Sequence, residues 1–277
     1  MRSIVLTSVI PCVVLLAGTV FGYQDGVGNS RVNELKQDRA NELALVDDMA
    51  DDKTESLVLF DGTSLEGWEG EEGLWSIEDG AITGRTTEET RLKANSFLVW
   101  RGELPEDFEL TLEFRIESGN SGIQFRSEEI EPFRVKGYQA DIDSTMKFMG
   151  ILYEERARGI LCQRGQRVSI AADGKRTEPE STGLVEDDFQ AGYKAAEWHH
   201  YVITANGPQI TCKIDDQITA ELNDEQEDAS RRNGIIGLQL HVGPPMKVQF
   251  RNIVLKSLGE PAGDKHEPKT KTGDGGQ

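Results

Sequence analysis

From residue 108 to residue 116 the chain alternates without a break: Phe108, Leu110, Leu112, Phe114 and Ile116 interleave with Glu109, Thr111, Glu113 and Arg115. A period of two buries one face only in a strand, where successive side chains point to opposite sides of the pleat. Similar runs, punctuated by Gly, Asn and Asp, recur between Leu57 and Leu258. They predict strands at Leu57–Phe60, Trp75–Ile77, Ala81–Gly84, Phe97–Trp100, Tyr138–Ile142, Gly150–Tyr153 and Val168–Ala171, then His199–Ala205, Ile210–Ile214, Gln217–Glu221, Ile235–His241 and Lys247–Lys256. The turn residues Ser118-Gly119-Asn120-Ser121-Gly122 make Ile123–Arg126 the expected hairpin partner of the first run. In the last strand Val248 and Phe250 share a face while Ile253 and Leu255 fall on the other, so a bulge near Asn252 is expected. Many short strands without a long helix define an all-β fold, two antiparallel sheets packed as a jelly-roll sandwich. The polar, acidic stretch from Asp173 to Lys194 is expected to be a long surface loop.

Both ends differ in kind from this region. Residues 1–22 combine a short positive start, an apolar run and small residues before Tyr23, which resembles a secretory signal. Residues 23–55 are expected to form an acidic flexible segment and 259–277 a disordered tail, which leaves 56–258 as the expected folded domain. The expected location is secreted or periplasmic, with no membrane insertion after signal cleavage. The formal net charge of −19 excludes phosphate neutralisation as a binding strategy, so nucleic acid is not an expected partner. After cleavage only Cys162 and Cys212 remain; they are compatible with one disulfide or with two small core residues. No Cys or His pair has zinc-ligand spacing.

Three triplets stand out: Gln124-Phe125-Arg126, Gln139-Ala140-Asp141 and Gln239-Leu240-His241. Within a strand, the Gln and the ionisable residue of each triplet share one face. If the three strands belong to one sheet, that face carries three amides, a cation, a carboxylate and an imidazole. Amides offer both donor and acceptor, a set suited to an uncharged polar ligand such as a sugar.

The segment from Leu59 to Trp68 (LFDGTSLEGW) resembles the opening of the 3-keto-disaccharide hydrolase domain family. The resemblance continues at Trp75–Gly80, Phe108–Leu110, Gly119–Ile123, Gly137–Gln139, Gly150–Tyr153, Ile236–His241 and Phe250–Ile253, and so spans Leu57 to Leu258. It implies a concanavalin- or laminin-G-like jelly roll, exported, that cleaves glycosides whose sugar has been oxidised to a 3-keto form. It also implies a divalent metal in some relatives, although no contiguous metal-binding motif occurs here, so the cofactor is left open. This chain departs from the usual pattern: His199 stands where Asn is common, and Asp216 stands where an Asn-Gly turn is common.

A 3-keto group acidifies the C2 proton, so the chemistry needs a base near C2, a donor or cation for the enolate oxygen, and an acid for the leaving group. Asp141 and His241 are the expected acid–base pair, and Arg126 the expected holder of the enolate oxygen. Asn120, Gln124, Gln139 and Gln239 are expected to orient hydroxyls, with Tyr153, Glu154 and Arg158 bordering the site. Arg126 and Asp141 are equally compatible with a cross-strand ion pair. The rival class is a non-catalytic, lectin-like carbohydrate-binding module, which would show a shallow groove rich in exposed aromatics. Hydrolysis by two facing carboxylates is a weaker third reading, because no strand carries such a pair.

Overall fold

The structure of the chain is a computed structural model that describes residues 56–259. The leader-like start, the acidic segment 23–55 and the tail from residue 260 lie outside the described residues. Seventeen strands and one short helix make up what is described.

Two sheets form a sandwich. The larger contains, in order, β12 (Glu180–Ser181), β11 (Gln166–Ile170), β15 (Gln217–Asp224), β14 (Gln209–Ile214), β13 (His199–Asn206), β6 (Phe108–Ser118), β17 (Lys247–Ser257), β4 (Ala81–Arg85) and β3 (Trp75–Glu78), with β1 (Ser56–Phe60) also on β17. The smaller runs β10 (Gly159–Cys162), β9 (Leu152–Glu155), β8 (Arg134–Asp143), β7 (Asn120–Glu131), β16 (Ile235–Leu240), β5 (Ser96–Trp100) and β2 (Trp68–Glu69). All pairings are antiparallel except β11 with β15. The alternating residues of β6 bury Phe108, Leu110, Leu112, Phe114 and Ile116 against Ile123, Phe125, Tyr138, Ala140 and Ile142 of the smaller sheet. Rings meet across the layer, with the centroids of Phe108 and Phe125 6.4 Å apart in an edge-to-face arrangement. Each fully buried side chain of this size contributes roughly 1.5–3 kcal/mol, so this layer holds the sheets together.

The expected bulge in the last strand is present. Asn252 has φ 53°, and the β17–β6 register shifts between Arg251 and Val254. The slip divides one edge of β17 into two seats, β4 along Lys247–Phe250 and β1 along Ile253–Lys256.

The expected hairpin between β6 and β7 does not form. Gly119, at φ 90° with no room for a Cβ beside Met246, instead carries the chain from one sheet to the other. The partners of β6 are β13 and β17, while β7 pairs with β8 and β16. Turn residues report a reversal of direction but not which sheet receives the returning strand. The strand expected at Gly150–Tyr153 begins at Leu152 and reaches Glu155, and β10 follows it unforeseen. Within the expected Asp173–Lys194 loop lie β12 and the helix α1 (Glu186–Gly192), which is pinned by buried Phe189 and by an Arg164–Glu186 ion pair. Cys162 and Cys212 are both free and buried in the core, so no disulfide joins them.

Candidate active site

On the outer face of the smaller sheet, register brings distant residues into rows. Gln124 lies opposite Gln139, Gln139 opposite Tyr153, and Asp141 opposite Gly122. Gly122 is required here, because a Cβ at that position would stand 2.6 Å from Cγ of Gln139. Above these rows is a cleft of about 310 Å³, at the small end of the roughly 300–1,000 Å³ common for ligand sites. Its polar lining is Asn95, Asn120, Gln139, Asp141, Tyr153, Glu155, Gln239 and His241, and Phe148, Ile151 and Ile160 supply the apolar part. The Asp143 carboxylate builds part of the rim by accepting the backbone N–H of Thr145 at 3.0 Å and of Phe148 at 2.8 Å.

A buried chain of amides runs beneath the floor. Ser127 Oγ donates to Gln124 Oε1 (2.7 Å), and Gln124 Nε2 donates to Gln139 Oε1 (2.7 Å). Gln239 Nε2 donates to that same oxygen (2.9 Å), and Gln139 Nε2 donates to Asp141 Oδ1 (2.5 Å). Each amide fixes the orientation of the next, so the direction of the Asp141 carboxyl is set from beneath the sheet surface.

Burial holds the Asp141 carboxyl well above the usual carboxylate range, opposed by the Gln139 hydrogen bond and reinforced by Glu155 and Asp143. Glu155 is also raised by burial, with Asn95, Arg156 and His241 acting in the opposite direction. The Tyr153 phenol is pushed up by burial and by the same two carboxyls, which keeps it a hydrogen-bond donor. His241 Nδ1 lies 2.6 Å from the carbonyl of Val242, an acceptor only, so Nδ1 is the donor and, in the neutral ring, Nε2 is the atom with the lone pair. Asn95 ties the two sides together: Nδ2 reaches Glu155 Oε1 at 3.3 Å, and Oδ1 accepts the N–H of Val242 at 2.9 Å.

Of the residues singled out in the sequence, Asp141, His241, Asn120, Gln139, Tyr153 and Gln239 share the cleft, and Gln124 stands behind Gln139. Arg126, Glu154 and Arg158 do not join them. At Arg126 φ is +43° and the β7–β8 register breaks between Phe125 and Glu128, which takes its side chain off the face of Gln124. Its guanidinium donates to the carbonyls of Glu106 (3.0 and 2.8 Å) and Gly207 (2.8 Å), and pairs with Asp107 (2.8 Å). It is therefore neither the expected enolate holder nor the ion-pair partner of Asp141. Glu154 alternates away from Tyr153 to the inner face and accepts from Arg158. Arg158 also reaches Asp224 of the opposite sheet at 2.6 Å, and Tyr138 donates to Asp224 as well.

Sequence reasoning missed Asn95 and Glu155. For Glu155 the signal was present, since strict alternation in Tyr153-Glu154-Glu155 puts the first and third residues on one face. For Asn95, just ahead of β5, nothing in the sequence pointed to the cleft. The carboxyl pair that no single strand carries is assembled from two, Asp141 on β8 and Glu155 on β9. Among the described residues, no three His, Cys, Asp or Glu groups gather to hold a metal ion. Asp141 Oδ1 is already committed to Gln139, and the other cleft donors are mostly amides. The divalent ion implied by the resemblance does not fit this donor set.

The two-sheet sandwich is similar in fold to galectin-like jelly rolls. A Bacillus subtilis protein of unknown function with a galectin-like fold superposes with a TM-score of 0.50 at 11% identity, covering 73% of this chain and 94% of that one. The carbohydrate-binding module CBM66 from Bacillus subtilis matches with a TM-score of 0.46 at 16% identity, over 69% of this chain and 96% of the module. None of the curated protein sequences matches. The model of the 3-keto-alpha-glucoside-1,2-lyase-like domain matches residues 55–256, and the chain belongs to that family. It is thus a carbohydrate-related protein with a jelly-roll fold.

Proposed function

We propose that the cleft cleaves 3-keto-glycosides by expelling the substituent at C1. The observation that carries this reading is the meeting of Asp141, Glu155, Tyr153 and His241 in one cleft, with both carboxyls pushed upward by burial. Family membership supports the 3-keto substrate class. His241 Nε2 takes the C2 proton, and the C2–H electron pair moves toward the C3 carbonyl as an enolate. Tyr153, held as a neutral phenol, donates to that oxygen in place of the role expected of Arg126. The enolate then collapses, the C1–O bond breaks, and Asp141 gives its proton to the departing oxygen. The products are the free aglycone and a sugar with a C1=C2 double bond; addition of water across that bond completes a net hydrolysis. Glu155, close enough to His241 to interact with it electrostatically, offsets the imidazolium charge that forms.

A purely binding module would offer a row of exposed aromatics, whereas among the described residues the aromatics on this cleft are Tyr153 and Phe148 beside the imidazole. The leader-like start of the sequence supports an exported site of action. The test is to incubate the purified protein with a 3-keto-disaccharide and, separately, with its unoxidised parent. Product from the oxidised sugar alone is expected, with a steep loss in His241→Gln. Equal release from the parent would instead favour hydrolysis by the Asp141–Glu155 pair. No product from either sugar would overturn catalysis.

A further inference from the structure

The amide chain leaves one atom over. Gln139 Oε1 accepts from both Gln124 and Gln239, and Gln139 Nε2 is given to Asp141. Gln239 therefore spends its N–H on the chain and turns Oε1 to the other side. That oxygen is fully buried, belongs to a cleft-lining residue, and is without a hydrogen-bond partner among the described residues. Leaving a buried acceptor unmet is unfavourable, and a ligand donor would remove that penalty. The carboxamide cannot simply rotate: turning its nitrogen outward would set Oε1 against Oε1 of Gln139, two acceptors facing each other.

We infer that Gln239 is the specificity-determining residue of the cleft, and that its Oε1 accepts a hydrogen bond from one sugar hydroxyl next to the group handled by Asp141. The inference rests on the proposed 3-keto-glycoside reading and deepens it. Asp141 and Gln239 are held by the two ends of one carboxamide, that of Gln139, and both line the cleft. Asp141, as a neutral carboxyl, offers a donor, and Gln239 offers only an acceptor. A ligand matching that pair carries an acceptor oxygen adjacent to a hydroxyl, which is the arrangement of the glycosidic oxygen at C1 beside the C2 hydroxyl. A deoxy position would leave Oε1 unmet, and an ether or a second ketone there would oppose acceptor to acceptor.

The experiment measures kcat/KM and Kd for a 3-keto-glucoside and for its monodeoxy and mono-O-methyl derivatives, using the wild-type chain and Gln239→Met. One hydroxyl is expected to stand out in the wild type: deleting it or methylating it weakens binding roughly tenfold or more, as loss of a buried hydrogen bond does. In Gln239→Met the same two changes are expected to cost less than twofold. The ligand series on wild type alone tests the claim should the variant fold poorly. If every derivative binds wild type like its parent, or if the O-methyl compound binds better than the hydroxyl, the inference is overturned. If the parent 3-keto-glucoside is neither bound nor cleaved, the proposed function fails first, and this outcome is distinct from a panel that is cleaved without regard to residue 239.

Discussion

Glu154 and Glu155 are consecutive residues of one strand, yet their surroundings have nothing in common. Glu154 points inward and meets Arg158, which also binds Asp224, while Tyr138 donates to Asp224 from the neighbouring strand. Glu155 points outward to Asn95 and to a second carboxyl, with Arg156 3.9 Å away. Burial is present on both sides and has opposite results. It would raise Asp224, but the hydrogen bonds from Arg158 and Tyr138 outweigh it and the pKa falls. On the cleft side the Gln139 amide cannot outweigh burial, and Asp141 stays high. A guanidinium turns a buried acid into a structural tie, whereas an amide leaves it able to hold a proton.

Replacing Asp141 with Asn tests the cleft half of this contrast most severely. Turnover of a 3-keto-glycoside is expected to fall roughly 10²–10⁴-fold, the usual scale for a lost general acid. The fold should gain instead. Because the native pKa of Asp141 is raised, the stability contributed by its neutral form is complete below the ordinary carboxylate range and is lost as pH climbs through the native value. Thermal midpoints measured across pH should therefore decline on the alkaline side in wild type and much less in Asp141→Asn. Equal slopes would refute the desolvated-acid account.

On the inner side the expected loss is of folding. Arg158→Ala strands Asp224 and Glu154 without their cation, and denaturant unfolding should register about 3–5 kcal/mol of destabilisation. Asp224 has the opposite sign from Asp141: its lowered pKa gives stability that is present above the unfolded value and disappears as pH falls. A variant that keeps wild-type stability would show the ties between sheets to be incidental. A smaller effect is expected from Arg126→Met, which leaves the carbonyls of Glu106 and Gly207 unmet at roughly 1–3 kcal/mol while kcat and KM stay as in wild type. A selective drop in kcat would return Arg126 to the chemistry.

The sequence announced the sandwich because alternation is a one-dimensional property: the β6 run, the amide triplets and the slip near Asn252 can all be counted along the chain. It also placed Asp141, Gln139, Gln239 and His241 correctly on one outer face. Two kinds of information were missing. One is conformational: nothing in Phe125-Arg126-Ser127 shows that Arg126 adopts a positive φ, and a single slipped residue reverses every later assignment of face. The other is topological: Gly119 marks a turn, but only the packed structure shows that it joins opposite sheets. Glu155 was legible by alternation alone, since it shares a strand face with Tyr153 two residues before it.

The break in register after Phe125 divides β7 into two lengths with separate duties. Upstream of it the strand supplies Asn120 to the cleft, with Gly122 and Gln124 supporting Gln139; downstream, Arg126 bolts the sheet to Glu106, Asp107 and Gly207. The kink thus insulates recognition from cohesion. Asn120, on the upstream length, can change without loosening the joint, and the joint can be reinforced without reshaping the cleft.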